Sequence, residues 1–117
     1  MTGQVSYRAG LAAEAIVAEH YRRRGAVIAA DRWRGKGGEI DLVAREGGKV
    51  IFIEVKKSKT HAEAATHLSA NQIARIFAAA SEFLAGEPKG QLTETQFDVA
   101  LVDGQGKIDL LENALSV

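Results

Sequence analysis

Apolar residues recur along this chain with two different periods. Two long stretches repeat at about 3.6 residues, and the segments between them alternate or run apolar over strand-like lengths. From Ser6 or Tyr7 to Arg24 the alanine-rich sequence lacks proline and predicts a helix, closed by Gly25 at the left-handed cap position. Leu11, Glu14, Val17, Ala18 and Tyr21 share one stripe of it. Ala26–Ala30 predicts a first strand, followed by a mobile basic loop around Gly35, Lys36, Gly37 and Gly38. Ile40-Asp41-Leu42-Val43 and Val50-Ile51-Phe52-Ile53-Glu54-Val55 read as two strands joined at Gly47-Gly48. An irregular connection spans Lys57 to Leu68 and carries His61 and His67, which read with His20 as surface residues. Ser69-Ala70-Asn71-Gln72 is a capping box with Leu68 and Ile73 as a staple, and Gln72 is explained there as a cap partner. The helix it opens carries the stripe Ile73, Ile76, Phe77, Ala80, Leu84 and stops before Gly86 and Pro88. A polar linker from Gly86 to Glu94, a buried strand Phe97–Val102, a turn at Asp103–Gly106 and an edge strand Lys107–Leu111 complete the chain.

The order is thus α-β-β-β-α-β-β. A helical crossover between the third and fourth strands makes them parallel with a right-handed connection. The expected fold is α/β: one domain over residues 1–117, a central mixed sheet with helices on its faces.

The hairpin allows a sharper statement. With a two-residue loop, Glu46 faces Lys49, Asp41 faces Glu54, and Glu39 faces Lys56. Side chains alternate faces along a strand, so Asp41, Glu54, Glu39 and Lys56 share a face, whereas Ile40, Leu42, Ala44, Val55, Ile53 and Ile51 form a wholly apolar opposite face. Val43 and Phe52 continue the charged face, so that face is covered in part as well. Opposed carboxylates repel, and two of them at the edge of a buried region need a proton or a cation between them. A hard divalent ion such as Mg²⁺ is held by a few carboxylate oxygens together with water and substrate phosphate. Lys56 would lie beside it, placed to hold a phosphate or activate water. The competing reading is a solvated hairpin face laced by cross-strand ion pairs, against which the apolar flanks of both strands argue. Glu14, on an apolar helix stripe, either faces the same region or snorkels at the stripe edge.

Composition narrows the class. At 117 residues, 46% hydrophobic and 26% charged, the chain suits one globular core. No apolar run of about 18 residues is present, so no membrane partner is expected. The N-terminus lacks the pattern of a secretory signal, and without cysteine there is no disulfide frame. The expected location is cytoplasmic. The net charge is zero but unevenly spread: residues 1–60 hold 12 Lys/Arg against 7 Asp/Glu, and residues 61–117 hold 3 against 8. The basic half contains the acidic hairpin, with cations clustered at 22–24, at Arg32, Arg34 and Lys36, and at Lys56, Lys57 and Lys59. A positive field beside an acidic metal site suits a phosphodiester substrate, although each cluster also reads as ordinary solvated surface. Trp33 among them either stacks on a base or covers the core edge.

The acid on one strand followed by Glu54-Val55-Lys56 on the next resembles the PD-(D/E)XK nuclease superfamily. More narrowly, Gly38-Glu39-Ile40-Asp41-Leu42-Val43 with Phe52-Ile53-Glu54-Val55-Lys56 resembles the YraN-like family of uncharacterised bacterial proteins, themselves similar to archaeal Holliday-junction resolvases. Gly10, Glu14, Val17-Ala18, Tyr21 and Gly25 match that family's first helix, and Phe97-Asp98-Val99 and Glu112-Asn113-Ala114 its last third. The resemblance implies a restriction-endonuclease-like core, with Asp41, Glu54 and the Val55 carbonyl as ligands of Mg²⁺ or Mn²⁺. It further implies that Lys56 is the catalytic lysine, that Glu14 is a helix-borne acid approaching the metal, and that Glu39 supports the site. Arg32, Arg34, Lys36, Lys57 and Lys59 are the candidate nucleic-acid contacts. Ser58, Gln72 and Gln96 stand where the family usually has cations. The implied activity is metal-dependent hydrolysis of DNA, with branched or damaged DNA as the substrate class. Two alternatives stay open: a nucleic-acid-binding module that kept the fold without turnover, and a protein-interaction domain using the acidic C-terminal half. Oligomeric state is open, a homodimer included.

Overall fold

The computed structural model describes residues 2–57 and 68–115, with side chains from residue 12 onward. Helix α1 (Thr2–Arg23) leads into strands β1 (Val27–Arg34), β2 (Glu39–Glu46) and β3 (Lys49–Lys57). Helix α2 (Ala70–Leu84), a single 3-10 turn at Gly90–Leu92, and strands β4 (Thr95–Val102) and β5 (Ile108–Leu111) follow. The five strands form one mixed sheet in the order β1-β2-β3-β4-β5. Only β3 and β4 run parallel, as the helical crossover requires. The strand expected to end at Ala30 instead runs to Arg34. Arg32, Trp33 and Arg34 therefore belong to β1, where Trp33 and Arg34 pair with Ile40 and Glu39.

Gly47 and Gly48 both adopt positive φ, at 58° and 90°, the geometry of a two-residue hairpin turn. That turn sets the register found from Glu46↔Lys49 to Leu42↔Ile53. Leu42, Ala44, Ile51 and Ile53 bury one face of the hairpin under Ala13, Val17, Ala18 and Tyr21 of α1. Val43, Val50 and Phe52 bury the other under Ala79, Ala80 and Leu84 of α2. Helix α1 thus covers the apolar face, and the charged face belongs to α2, the reverse of a first helix lying over the acids. The reason lies in α1 itself, whose buried residues from Ala13 to Tyr21 are small or flat and seat directly on the aliphatic side of the hairpin.

The alternation expected through Ile40 does not hold. Ile40 packs with Val43, Phe52, Trp33 and α2 rather than with Leu42 and Ala44. Two irregularities in β1 accompany the switch: a register shift between Ile28 and Ala30, and a left-handed backbone at Arg32 with φ of 47°. For a non-glycine residue that conformation is strained, and strain of this kind collects at sites whose geometry is imposed by their surroundings. Beyond Leu42 the first residues of β2 pair with β1 and no longer with β3, so the two hairpin strands part at Asp41.

Candidate metal centre

The centre lies where β2 and β3 part. Asp41 is half-buried, and its Oδ2 accepts the backbone N–H of Val55 at 2.8 Å. A side chain thereby replaces the main-chain acceptor that a continued ladder would supply, and the carboxylate is drawn into the plane of the sheet between the strands. Glu54 follows the face of Val50 and Phe52 toward α2, and only 6% of it is exposed. Its carboxyl lies within hydrogen-bonding reach of Asp41. Burial comes first, then the Asp41 contact and charge, in pushing the Glu54 carboxyl up to about 9, and Lys56 and Gln72 oppose the shift. Without a cation, burial and the opposed charge therefore favour the protonated form of Glu54. Lys56, two residues on and on the Glu54 face, is half-buried.

Glu14 reaches the same region from α1. Its two oxygens accept from Arg32 Nε and Nη2, each at 3.1 Å. Burial raises its pKa, the Arg32 hydrogen bonds lower it, and the Asp41 and Glu39 charges raise it again. Asp41, Glu54, Glu14 and Glu39 thus gather at one end of the sheet, with α1 supplying one acid and the parted strands the others.

The candidate nucleic-acid contacts fare less uniformly. Arg32 is engaged by Glu14, and Arg34 by Glu39 at 2.9 Å. Two of the proposed phosphate-binding cations are therefore already matched to acids of the centre. Lys36 and Lys57 are exposed, and Lys59 lies outside the described residues, as do Ser58, His61 and His67. The loop expected to be mobile is held by α2: the backbone N–H groups of Lys36 and Gly37 each donate to Glu82 at 2.8 Å. Gly38 makes the approach possible, because a Cβ there would sit 2.9 Å from the Arg75 carbonyl oxygen. Trp33 packs edge-on against Phe83 at 5.5 Å, the core-edge role.

Asp98 and Gln72 make further contacts. Asp98 is fully buried and hydrogen-bonds to Tyr21 Oη, Gln96 Nε2 and the Asn113 backbone N–H. It ties α1, β4 and the C-terminal turn together, a role in the fold rather than the centre. Gln72 keeps half of the expected capping box, its backbone N–H donating to Ser69 Oγ at 3.1 Å. Its side chain does not turn back to the cap; Nε2 donates to Glu54 Oε2 at 2.6 Å. The local explanation of Gln72 as a cap partner concealed that bond.

A hard divalent cation suits this donor set. Asp41 and Glu54 offer only oxygen, and burial together with the opposed Asp41 carboxyl raises the Glu54 pKa. Among the described residues no three His, Cys, Asp or Glu side chains converge as a complete ligand set. Two carboxylates with the remaining positions open is the arrangement typical of Mg²⁺ rather than of a closed structural site. No helix among the described residues is long and apolar enough to cross a membrane.

Comparison with known proteins places the chain in a family. The model of the uncharacterised protein family UPF0102 matches residues 13–102. A UPF0102 protein of Cereibacter sphaeroides is 63% identical over 116 residues, covering 99% of both chains. One from Roseobacter denitrificans is 55% identical over 114 residues, covering 97% of this chain and 88% of the relative. A third, from Ruegeria pomeroyi, is 54% identical over 112 residues, covering 96% and 91%. The matched span contains every residue of the centre from Glu14 to Gln72, and the chain belongs to the UPF0102, or YraN-like, family.

Proposed function

We propose that this chain is a metal-dependent nuclease that hydrolyses DNA phosphodiester bonds on a restriction-endonuclease-like PD-(D/E)XK core. One observation carries the reading: the Asp41 and Glu54 carboxylates meet where β2 and β3 part, with Lys56 two residues further along the same face. Buried opposed acids are costly to a fold, and accepting the Val55 N–H accounts for Asp41 but not for Glu54 beside it. Asp41, Glu54 and the Val55 carbonyl would hold Mg²⁺ or Mn²⁺, which when bound supplies Lewis-acid polarisation of the phosphate. Lys56 would then orient the attacking water or stabilise charge developing on the phosphoryl oxygens. Glu14, held by Arg32, stands on the α1 side as a further acid able to order water at the centre. Lys36 and Lys57 are the exposed cations beside it that would meet the nucleic-acid backbone.

The experiment is a cleavage panel of linear, nicked, flapped and four-way-junction DNA with Mg²⁺ or Mn²⁺, comparing the wild type with Asp41→Asn and Lys56→Ala. Metal-dependent products from the wild type alone support the reading. One observation favours a second reading, a binding module without turnover. Arg32 and Arg34 are matched to Glu14 and Glu39, which leaves fewer cations for substrate. Salt-dependent DNA binding with no cleavage of any substrate would select it.

A further inference from the structure

Gln72 makes a choice that its position in the helix does not require. At the third residue after Ser69, a glutamine side chain ordinarily returns to the cap N–H and closes a reciprocal box. Here Ser69 still caps the Gln72 N–H, but the side-chain amide reaches across to Glu54 Oε2 at 2.6 Å. The bond links α2 to the most buried acid of the centre, which makes no ion pair with an arginine among the described residues.

We infer that Gln72 is the positioning residue for Glu54, fixing which carboxylate oxygen is presented to a cation. This rests on the metal-centre reading above. The amide NH₂ can only donate, so it engages Oε2 as an acceptor and leaves Oε1 as the freer oxygen of the carboxyl. Gln72 thereby fixes the Glu54 side chain relative to α2, with Oε1 the oxygen available to a divalent ion where the strands part. Hydrogen-bonding partners behind a ligand orient it in this way and raise its effectiveness. The amide orients the carboxylate without adding charge. A groove of about 470 Å³ lined by Glu39, Asn71, Gln72 and Arg75 opens beside this contact. A change at position 72 can therefore be accommodated without disturbing the core.

The test is a calorimetric Mn²⁺ titration of the full chain as wild type, Gln72→Met and Ser69→Ala, with a thermal melt of each. Methionine keeps the length and removes the donor. The expected result is Mn²⁺ affinity weakened about ten- to a hundredfold in Gln72→Met, the range typical of lost outer partners. Ser69→Ala should lower the melting temperature and leave Mn²⁺ affinity unchanged, which a merely structural role for Gln72 would not separate. If the wild type binds Mn²⁺ and Gln72→Met binds it equally well, the inference about Gln72 falls while the metal centre stands. If the wild type binds none, the metal centre itself falls, and the inference with it.

Discussion

The carboxylate of Asp41 accepts the backbone N–H of Val55 at 2.8 Å, and so stands in for a strand that is no longer there. This contact explains why β2 and β3 can separate without leaving a buried donor unsatisfied, and why the separation falls beside Glu54. The same carboxylate is thus both a structural acceptor and a candidate ligand.

That dual role separates two substitutions. Asp41→Asn keeps an oxygen to accept from Val55 and removes one of two opposed charges, so the metal-free protein should be as stable as the wild type or more so. Asp41→Ala leaves the Val55 N–H without its acceptor and should cost about 1–3 kcal/mol. Urea denaturation of the two variants in a chelating buffer measures the difference, and equal stabilities would refute the structural role.

Glu54 makes a pH prediction. Its carboxyl is raised to about 9 in the folded protein, mainly by burial and then by Asp41. The folded state therefore binds more protons than the unfolded state between the ordinary carboxylate range and about pH 9. The associated stability is fully present below that range and is lost as pH rises through it. Metal-free wild type should lose stability from pH 5 to pH 9, and Glu54→Gln should flatten the dependence. Denaturation midpoints across that interval report it, and an unchanged slope in Glu54→Gln would contradict the assignment.

Several of these features could be read in the sequence, and it is clear where reading stopped. Gly47-Gly48 dictates a two-residue turn, and the turn dictates the pairing as far as Leu42↔Ile53. The parallel β3–β4 pair follows from the crossover, and α2 begins where Ser69 caps it. What strict alternation could not show is the change of face at Asp41. It depends on the left-handed Arg32 in the neighbouring strand and on a side chain replacing a main-chain acceptor. Helix α1 settling on the aliphatic face, with only Glu14 reaching round to the acids, likewise depends on tertiary packing. Gln72 was hidden because a sufficient local role was available to it.

Among the basic residues, the salt dependence of DNA binding should sort matched from exposed cations. Lys36→Ala and Lys57→Ala should each lower the slope of log K against log salt by about one. Arg32→Ala, whose guanidinium is held by both oxygens of Glu14, should change it little. Equal losses for all three would show that Arg32 leaves Glu14 to meet the nucleic acid.

Tyr21→Phe separates fold from centre. It deprives the fully buried Asp98 of one of three hydrogen-bonding partners and should destabilise by about 1–3 kcal/mol. Its Mn²⁺ affinity should equal that of the wild type. A loss of affinity at unchanged stability would place Asp98 in the centre.

The most direct test of the central claim is calorimetric Mn²⁺ titration at pH 7 with bound DNA, repeated in two buffers of different ionisation heat. If Asp41 and Glu54 form a metal centre, the wild type binds Mn²⁺ with a buffer-dependent heat, because the ion displaces the proton held by Glu54. Asp41→Asn should lose that binding. Absence of Mn²⁺ binding by the wild type at millimolar concentration would contradict the account.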